Sequence, residues 1–200
     1  MKKSFPPIFS LLALGVTLSV NAKEESNWYV GAQYSAQEIS STPDRKFKTV
    51  GINVGYQFNP YFSLETRIDA GTSDFSFPFY QDEIPGAEYI EEIETQASLY
   101  AKAIYPISKS FKLYALAGLT ETRFKITTVG ADTDVEGNMT LRYPAVIKDS
   151  YNGFSYGLGV SYQLTNAITV FVDYKVLPDA EHSISDNRWK NTSLGINYFF

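Results

Sequence analysis

The chain has 200 residues, is acidic with a formal net charge of −5 at pH 7, and contains no cysteine. Without cysteine there is no disulfide framework and no thiolate metal site, and the negative balance argues against nucleic acid as a partner, because phosphates attract basic surfaces. Aromatic residues make up 16% of the chain although the mean hydropathy is only −0.18, a combination that fits strands whose apolar face is averaged away by a polar one.

Lys2 and Lys3 precede an apolar run from Ile8 to Val20 that is broken only by small or hydroxyl residues. This reads as a secretory signal peptide cleaved after Ala22, in the context Val20-Asn21-Ala22. The run is shorter than the ~20 residues a spanning helix needs. Residues 1–22 are therefore predicted to be removed and residues 23–200 to form one domain, with no Pro/Ser/Gly-rich linker dividing it. Loss of the two lysines takes the formal charge from −5 to −7.

Eight stretches alternate between an apolar parity and a small or polar one, as strands with two different faces do. The first, Asn27 to Glu38, sets Trp28, Val30, Ala32, Tyr34 and Ala36 against Gly31, Gln33, Ser35 and Gln37. The second, Phe47 to Phe58, and the third, Phe62 to Gly71, are separated by the turn signal Asn59-Pro60. The fourth runs from Glu94 to Tyr105 and is followed by a turn at Pro106 to Ser110. In the fifth, Phe111 to Thr127, the phase is ambiguous: Tyr114, Leu116 and Phe124 share one parity, while Ala115, Ala117 and Leu119 share the other with Glu121 and Arg123. The charged parity is expected to face inward. The sixth, Gly153 to Leu164, alternates without a break; the seventh starts at Ile168 after Thr165-Asn166, and the eighth runs from Thr192 to Phe200.

Connections after the even-numbered strands are short. Those at Ile39 to Lys46, Thr72 to Ile93, Thr128 to Asn152 and Leu177 to Arg188 are long. Short turns at one end and long loops at the other mark an outer-membrane barrel, with both termini on the short-turn, periplasmic side. A soluble ligand-binding barrel would alternate too, with its apolar parity inward. Three features favour apolar-out. The opposite parity is rich in Gly, Ser, Asn, Gln and Thr, which suits the cramped interior of a barrel of about eight strands. Its charges, Glu65, Arg67, Asp69, Lys102, Glu121, Arg123, Asp173 and Lys175, balance and so can pair away from water. Aromatics also gather at strand ends, with Tyr56, Phe58, Tyr61, Phe62, Tyr105, Phe111, Tyr162, Tyr198 and Phe200 toward the turns and Phe47, Phe124, Tyr174 and Trp189 toward the loops, as two interfacial belts would. The fold expected is an all-β, eight-stranded antiparallel up-and-down transmembrane β-barrel.

Asn27-Trp-Tyr-Val-Gly-Ala32, Tyr114-Ala-Leu-Ala-Gly118, Phe154-Ser-Tyr-Gly-Leu-Gly159, Phe171-Val-Asp-Tyr-Lys175 and Leu194-Gly-Ile-Asn-Tyr-Phe-Phe200 resemble the small outer-membrane β-barrel family of OmpA transmembrane-domain-like, OmpX-like and opacity-type porin proteins. The resemblance implies that the last strand, with its final Phe200, is read by the outer-membrane assembly machinery, and that outer-membrane lipids and lipopolysaccharide surround the barrel. It further implies a role in membrane integrity or surface contact through four outer loops, with an unknown surface ligand. The alternatives are a lipid A-modifying enzyme or a small-solute porin. With the chain ending at Phe200, no wall-binding domain is expected.

His182 is the single histidine, in Glu181-His182-Ser183-Ile184-Ser185. The lipid A deacylases, barrels of the same strand number, look like His-x-Ser on a strand; here Ile184 takes the serine position. His182 therefore reads as a solvated loop residue, and no enzyme activity is expected. Asp82, Glu83, Glu88, Glu91, Glu92 and Glu94 make the second long loop acidic. Clustered carboxylates are the oxygen ligands that Mg²⁺ or Ca²⁺ binds weakly, but the spacing matches no defined calcium loop and reads as a solvated acidic segment. Phe75, Phe77, Phe79 and Tyr80 form either an adhesive patch or an extension of the third strand. No catalytic, cofactor-binding or metal-binding residue is assigned, and no cofactor is expected.

Overall fold

The computed structural model describes residues 27–41, 43–78, 87–133, 139–141, 144–178 and 188–200. Their regular structure is β1 (Trp28–Ile39), β2 (Arg45–Asn59), β3 (Phe62–Gly71), β4 (Asp74–Pro78), β5 (Glu88–Pro106), β6 (Phe111–Val129), β7 (Ala131–Thr133), β8 (Met139–Leu141), β9 (Ala145–Gln163), β10 (Ile168–Leu177) and β11 (Trp189–Phe199). Eight of these, β1, β2, β3, β5, β6, β9, β10 and β11, pair antiparallel in chain order, and β11 returns to pair with β1. The sheet is therefore closed. A closed ladder leaves no barrel edge unpaired, which is what a sheet in hydrocarbon requires.

Side-chain chemistry of the short turns ends the strands at the chain-terminus side. The Asn59 side-chain oxygen accepts from the backbone N–H groups of Tyr61 and Phe62 at 2.8 and 3.0 Å. Ser108 accepts from the Phe111 N–H, and Thr165 from those of Ala167 and Ile168. Each is the local turn bond that Asn, Ser and Thr offer a reversing backbone. β1 and β11 both end on this side, where the Phe200 N–H donates to the Trp28 carbonyl at 3.2 Å.

Alternation places the apolar parity outside. Val30, Ile52, Val54, Leu64, Leu99, Leu158, Val172, Leu194 and Ile196 are exposed, while Gln33, Ser35, Asn53, Glu65, Arg67, Ser98, Asp173 and Ser193 are buried. This is the inverse of a soluble barrel. Tyr61, Phe62, Tyr105, Tyr162, Tyr198 and Phe200 lie exposed around the turn-side rim, as an interfacial belt does.

β6 corrects the expected phase. Tyr114, Leu116, Thr120, Thr122 and Phe124 face inward, and Leu113, Ala115, Ala117 and Leu119 face outward. The reason lies in β9. Tyr114 is in register with Gly159 and Leu116 with Gly157, and a Cβ on Gly159 would collide with the Tyr114 ring. Bulk on one strand is accommodated by its absence on the next. Glu121 and Arg123 consequently fall on the outward parity, above the lipid-facing row of Leu99, Leu119 and Phe154, where Glu121 is buried and the half-exposed Arg123 pairs with it at 3.2 Å.

β5 carries a bulge between Ile93 and Thr95, and a bulge reverses parity along a strand. Gln96, Ser98, Tyr100 and Lys102 point inward below it, and Glu91 and Ile93 above it. β5, β6 and β9 continue past the barrel, and β4 resumes the line of β3 alongside β5. Much of the segments 72–93 and 128–152, expected as loops, is thus a projecting four-stranded sheet with the short β7–β8 ribbon beyond it. Ala145 to Ser150 are exposed throughout, so beyond the lipid both faces meet water and nothing enforces alternation.

Candidate functional site

The barrel interior holds a closed set of charges at mid-height. Arg67 donates to Glu65 at 2.7 Å and, through two nitrogens, to both Asp173 oxygens at 2.7 and 3.3 Å. Lys102 reaches Glu65 at 3.1 Å, and Lys175 reaches Asp173 at 3.0 Å. The phenols of Tyr29 and Tyr114 donate to the same two carboxylates at 2.7 and 3.0 Å. The Arg67 guanidinium also lies against the rings of Tyr100 and Phe171, and the Lys102 ammonium sits 4.2 Å from the Tyr114 ring centre. With Asp69, bonded by Gln33 at 2.7 Å, three acids face three bases. Buried charges are tolerated where they are paired or, like Asp69, hydrogen-bonded.

Polar layers continue the fill. Ser35, Ser193, Asn191 and Lys175 are joined by bonds of 2.8 to 2.9 Å. Ser98, Thr120, Ser155 and Tyr100 form a second hydroxyl cluster. On the turn side a cavity of about 40 Å³ lies among Tyr29, Lys102, Tyr114 and Phe171, room for about one water rather than a conduit.

Toward the loops the interior turns apolar. Ile39, Phe47, Ile93, Phe124, Leu177 and Trp189 form a buried cluster, with Phe75 and Tyr151 packed against it. Phe124 lies 5.7 Å from Phe47 and 5.5 Å from Trp189, centre to centre. The Trp189 indole N–H donates to Gln37, which in turn bonds Gln96. Phe47, Phe124 and Trp189 were expected in the outer aromatic belt; they face inward and cap the polar core, while Tyr174 is exposed on the lipid side. Above the water line the barrel interior no longer needs to match a polar parity, and bulky rings close its mouth.

Among the described residues of the acidic segment, three carboxylates are paired. Arg45 clasps both Glu91 oxygens at 2.8 and 2.9 Å, Lys125 reaches Glu92 at 2.7 Å, and Lys148 reaches Glu94 at 2.6 Å. The Lys148 bond holds the Glu94 carboxyl below its ordinary range, and Glu92 raises the Lys125 ammonium above its own. Burial, and then Glu91, pushes the Tyr89 phenol up to about 12. Asp82 and Glu83 lie outside the described residues, as do Glu181 to Ser185 with His182 and the residues Phe79 and Tyr80. Phe75 and Phe77 belong to β4, the extension of the third strand.

Among the interior rings, Tyr100 and Phe171 lie on the polar parity expected of their strands, whereas the sequence pattern puts Tyr114 outward and leaves Tyr29 on neither face. The glycines opposite them were the available signal, since Gly55, Gly159 and Gly195 leave space that the rings of Tyr29, Tyr114 and Phe171 fill.

A lipid-facing apolar wall around a paired, filled polar core defines a small transmembrane β-barrel. Residues 8–200 match the model of the outer membrane protein beta-barrel domain, and the chain belongs to that family. It is 33% identical over 140 residues to outer membrane protein A of Buchnera aphidicola, covering 59% of this chain and 37% of that one. It is 28% identical to outer membrane protein A of Shigella flexneri over 100% of this chain and 56% of the other. The chain therefore spans about half, or less, of the length of these curated relatives. In fold it is similar to Ail of Yersinia pestis, with a TM-score of 0.55 at 14% identity over 88% of this chain and 100% of that one. Neisserial surface protein A gives a TM-score of 0.55 at 18% identity, covering 89% and 100% of the two chains. The protein is an outer-membrane β-barrel of a Gram-negative cell surface, with a general membrane or surface role.

Proposed function

We propose that the protein is a non-conducting, non-catalytic barrel that contributes to outer-membrane integrity and presents its projecting sheet and loops for surface contact. The continuous filling of the interior, from the Glu65–Arg67–Asp173 cluster to the Phe124 cap, carries this reading. A pore needs a wet path, and the fill replaces water with paired side chains. Its charges are engaged structurally. The projecting sheet, with exposed Val146 and Ile147, supplies surface well clear of the bilayer.

The test combines reconstitution with genetics. In planar bilayers the protein is expected to give no sustained single-channel steps, and a strain lacking it to become more permeable to bulky hydrophobic antibiotics. Lipid A extracted with and without the protein should have the same mass. Regular conductance steps, or a mass change abolished by His182→Ala, would overturn the reading.

A further inference from the structure

The outer wall of β10, β11, β1 and β2 carries a groove at the upper edge of the lipid-facing band. Outward residues in these strands run from Trp28, Phe200 and Tyr198 through Val30, Ile52, Ile196 and Val170 to Tyr34, Val50, Leu194 and Val172. The next positions in register are Lys48 opposite Ala36, and Thr192 opposite both Ala36 and Tyr174. One pair further on, Lys46 and Lys190 flank Glu38. A groove of about 550 Å³ collects Lys46, Lys48, Lys190, Thr192, Tyr174 and Glu38.

Three observations single it out. None of the three lysines has an ion-pair partner among the described residues, although Glu38 stands between Lys46 and Lys190; by contrast Lys125 and Lys148 on the opposite wall are each paired with a glutamate. Three ammonium groups against one carboxylate leave the groove positive on a chain whose formal charge is −5. The groove also adjoins, in register, the exposed apolar residues Tyr34, Val50, Leu194 and Val172, a floor that faces hydrocarbon. Lys48 is held in place by its backbone, whose N–H donates to Ser73 and whose carbonyl accepts from Thr72.

Lysines at this height sit where headgroup phosphates lie, and an ammonium binds phosphate as a point charge. We propose that this face is a binding site for the phosphorylated headgroup of an outer-leaflet glycolipid of the lipid A type, its acyl chains lying on the apolar floor. The commitment to a lipid rather than a soluble anion follows from the continuity of charge with that floor. The proposal rests on the membrane-spanning arrangement above and names a partner for it.

Native mass spectrometry of the full folded protein in detergent micelles, titrated with bis-phosphorylated lipid A, tests it. Lipid A should be retained, with retention falling as salt rises. The triple variant Lys46→Gln/Lys48→Gln/Lys190→Gln should lose about tenfold in affinity, and Lys48→Gln alone about two- to threefold. Lys125→Gln/Lys148→Gln should leave affinity unchanged, and millimolar inorganic phosphate should not compete. Undiminished binding by the lysine variants, or equal binding of dephosphorylated lipid A, would overturn the site; so would displacement by inorganic phosphate, which would indicate a free-anion site. Because binding is read on purified protein, a negative result here is separable from unchanged antibiotic permeability in cells, which bears on the integrity role alone.

Discussion

Arg67 offers the sharpest test of the interior. Its side chain is 1% exposed and is bonded at 2.7 Å to Glu65 and at 2.7 Å to Asp173. Replacement by Met preserves much of the volume and the contacts with Tyr100 and Phe171 but leaves two acids sharing Lys102 and Lys175, with Asp69 nearby. Removing one partner of a buried, fully bonded charge set costs about 3–5 kcal/mol. Adding Asp173→Asn restores neutrality, so the double variant should recover part of that loss, with a coupling of about 1.5–3 kcal/mol in the cycle. Denaturant unfolding of the barrel in lipid vesicles measures these values, with heat-dependent mobility on SDS gels confirming the folded starting state. A loss below about 1 kcal/mol for Arg67→Met, or additivity within about 0.5 kcal/mol, would refute the idea that this cluster is held together by mutual neutralisation.

Other positions test other layers. Ile52→Lys, at an outward residue that is 60% exposed, should cost about 2–4 kcal/mol in bilayers and little in detergent; no difference between the two media would contradict the lipid-facing assignment. Phe124→Ala removes the centre of the cap and should cost about 3–5 kcal/mol, with faster amide exchange at Phe47 and Trp189 than at Glu65. Gly159→Ala meets the Tyr114 ring and the Asp173 side chain and should destabilise by about 1–3 kcal/mol through overpacking; a neutral outcome would mean that Tyr114 can move aside freely. Phe200→Ala should lower the fraction of heat-modifiable protein recovered from cell envelopes several-fold while leaving spontaneous folding into micelles intact. Equal recovery from envelopes would argue against recognition through Phe200.

Sequence alternation was sufficient for the strand number, the turn positions and the lipid-facing side. In most strands one parity meets hydrocarbon and the other meets a cramped polar core, so Val170, Val172 and Tyr174 declare themselves against Phe171, Asp173 and Lys175. The balance of the eight charges expected inside is consistent with the pairing of Glu65, Arg67, Lys102, Asp173 and Lys175, although Glu121 and Arg123, counted in that balance, pair on the outward parity.

Two kinds of information were not local. In β6 both parities are apolar, and the choice of Tyr114 over Leu113 for the interior depends on Gly159 and Gly157, which lie more than forty positions along the chain and become neighbours only through register. At the mouth of the barrel the solvent changes while the strands continue. Phe47, Phe124 and Trp189 therefore fill the lumen rather than girdle it, and Glu121 pairs with Arg123 outside. Sequence by itself determined that there is a barrel and which way it faces, because hydrocarbon imposes a period of two on every strand that crosses it. Tertiary structure alone decided what fills and closes that barrel and which rim lysines have no ion-pair partner among the described residues, because those contacts are set by which strands lie side by side.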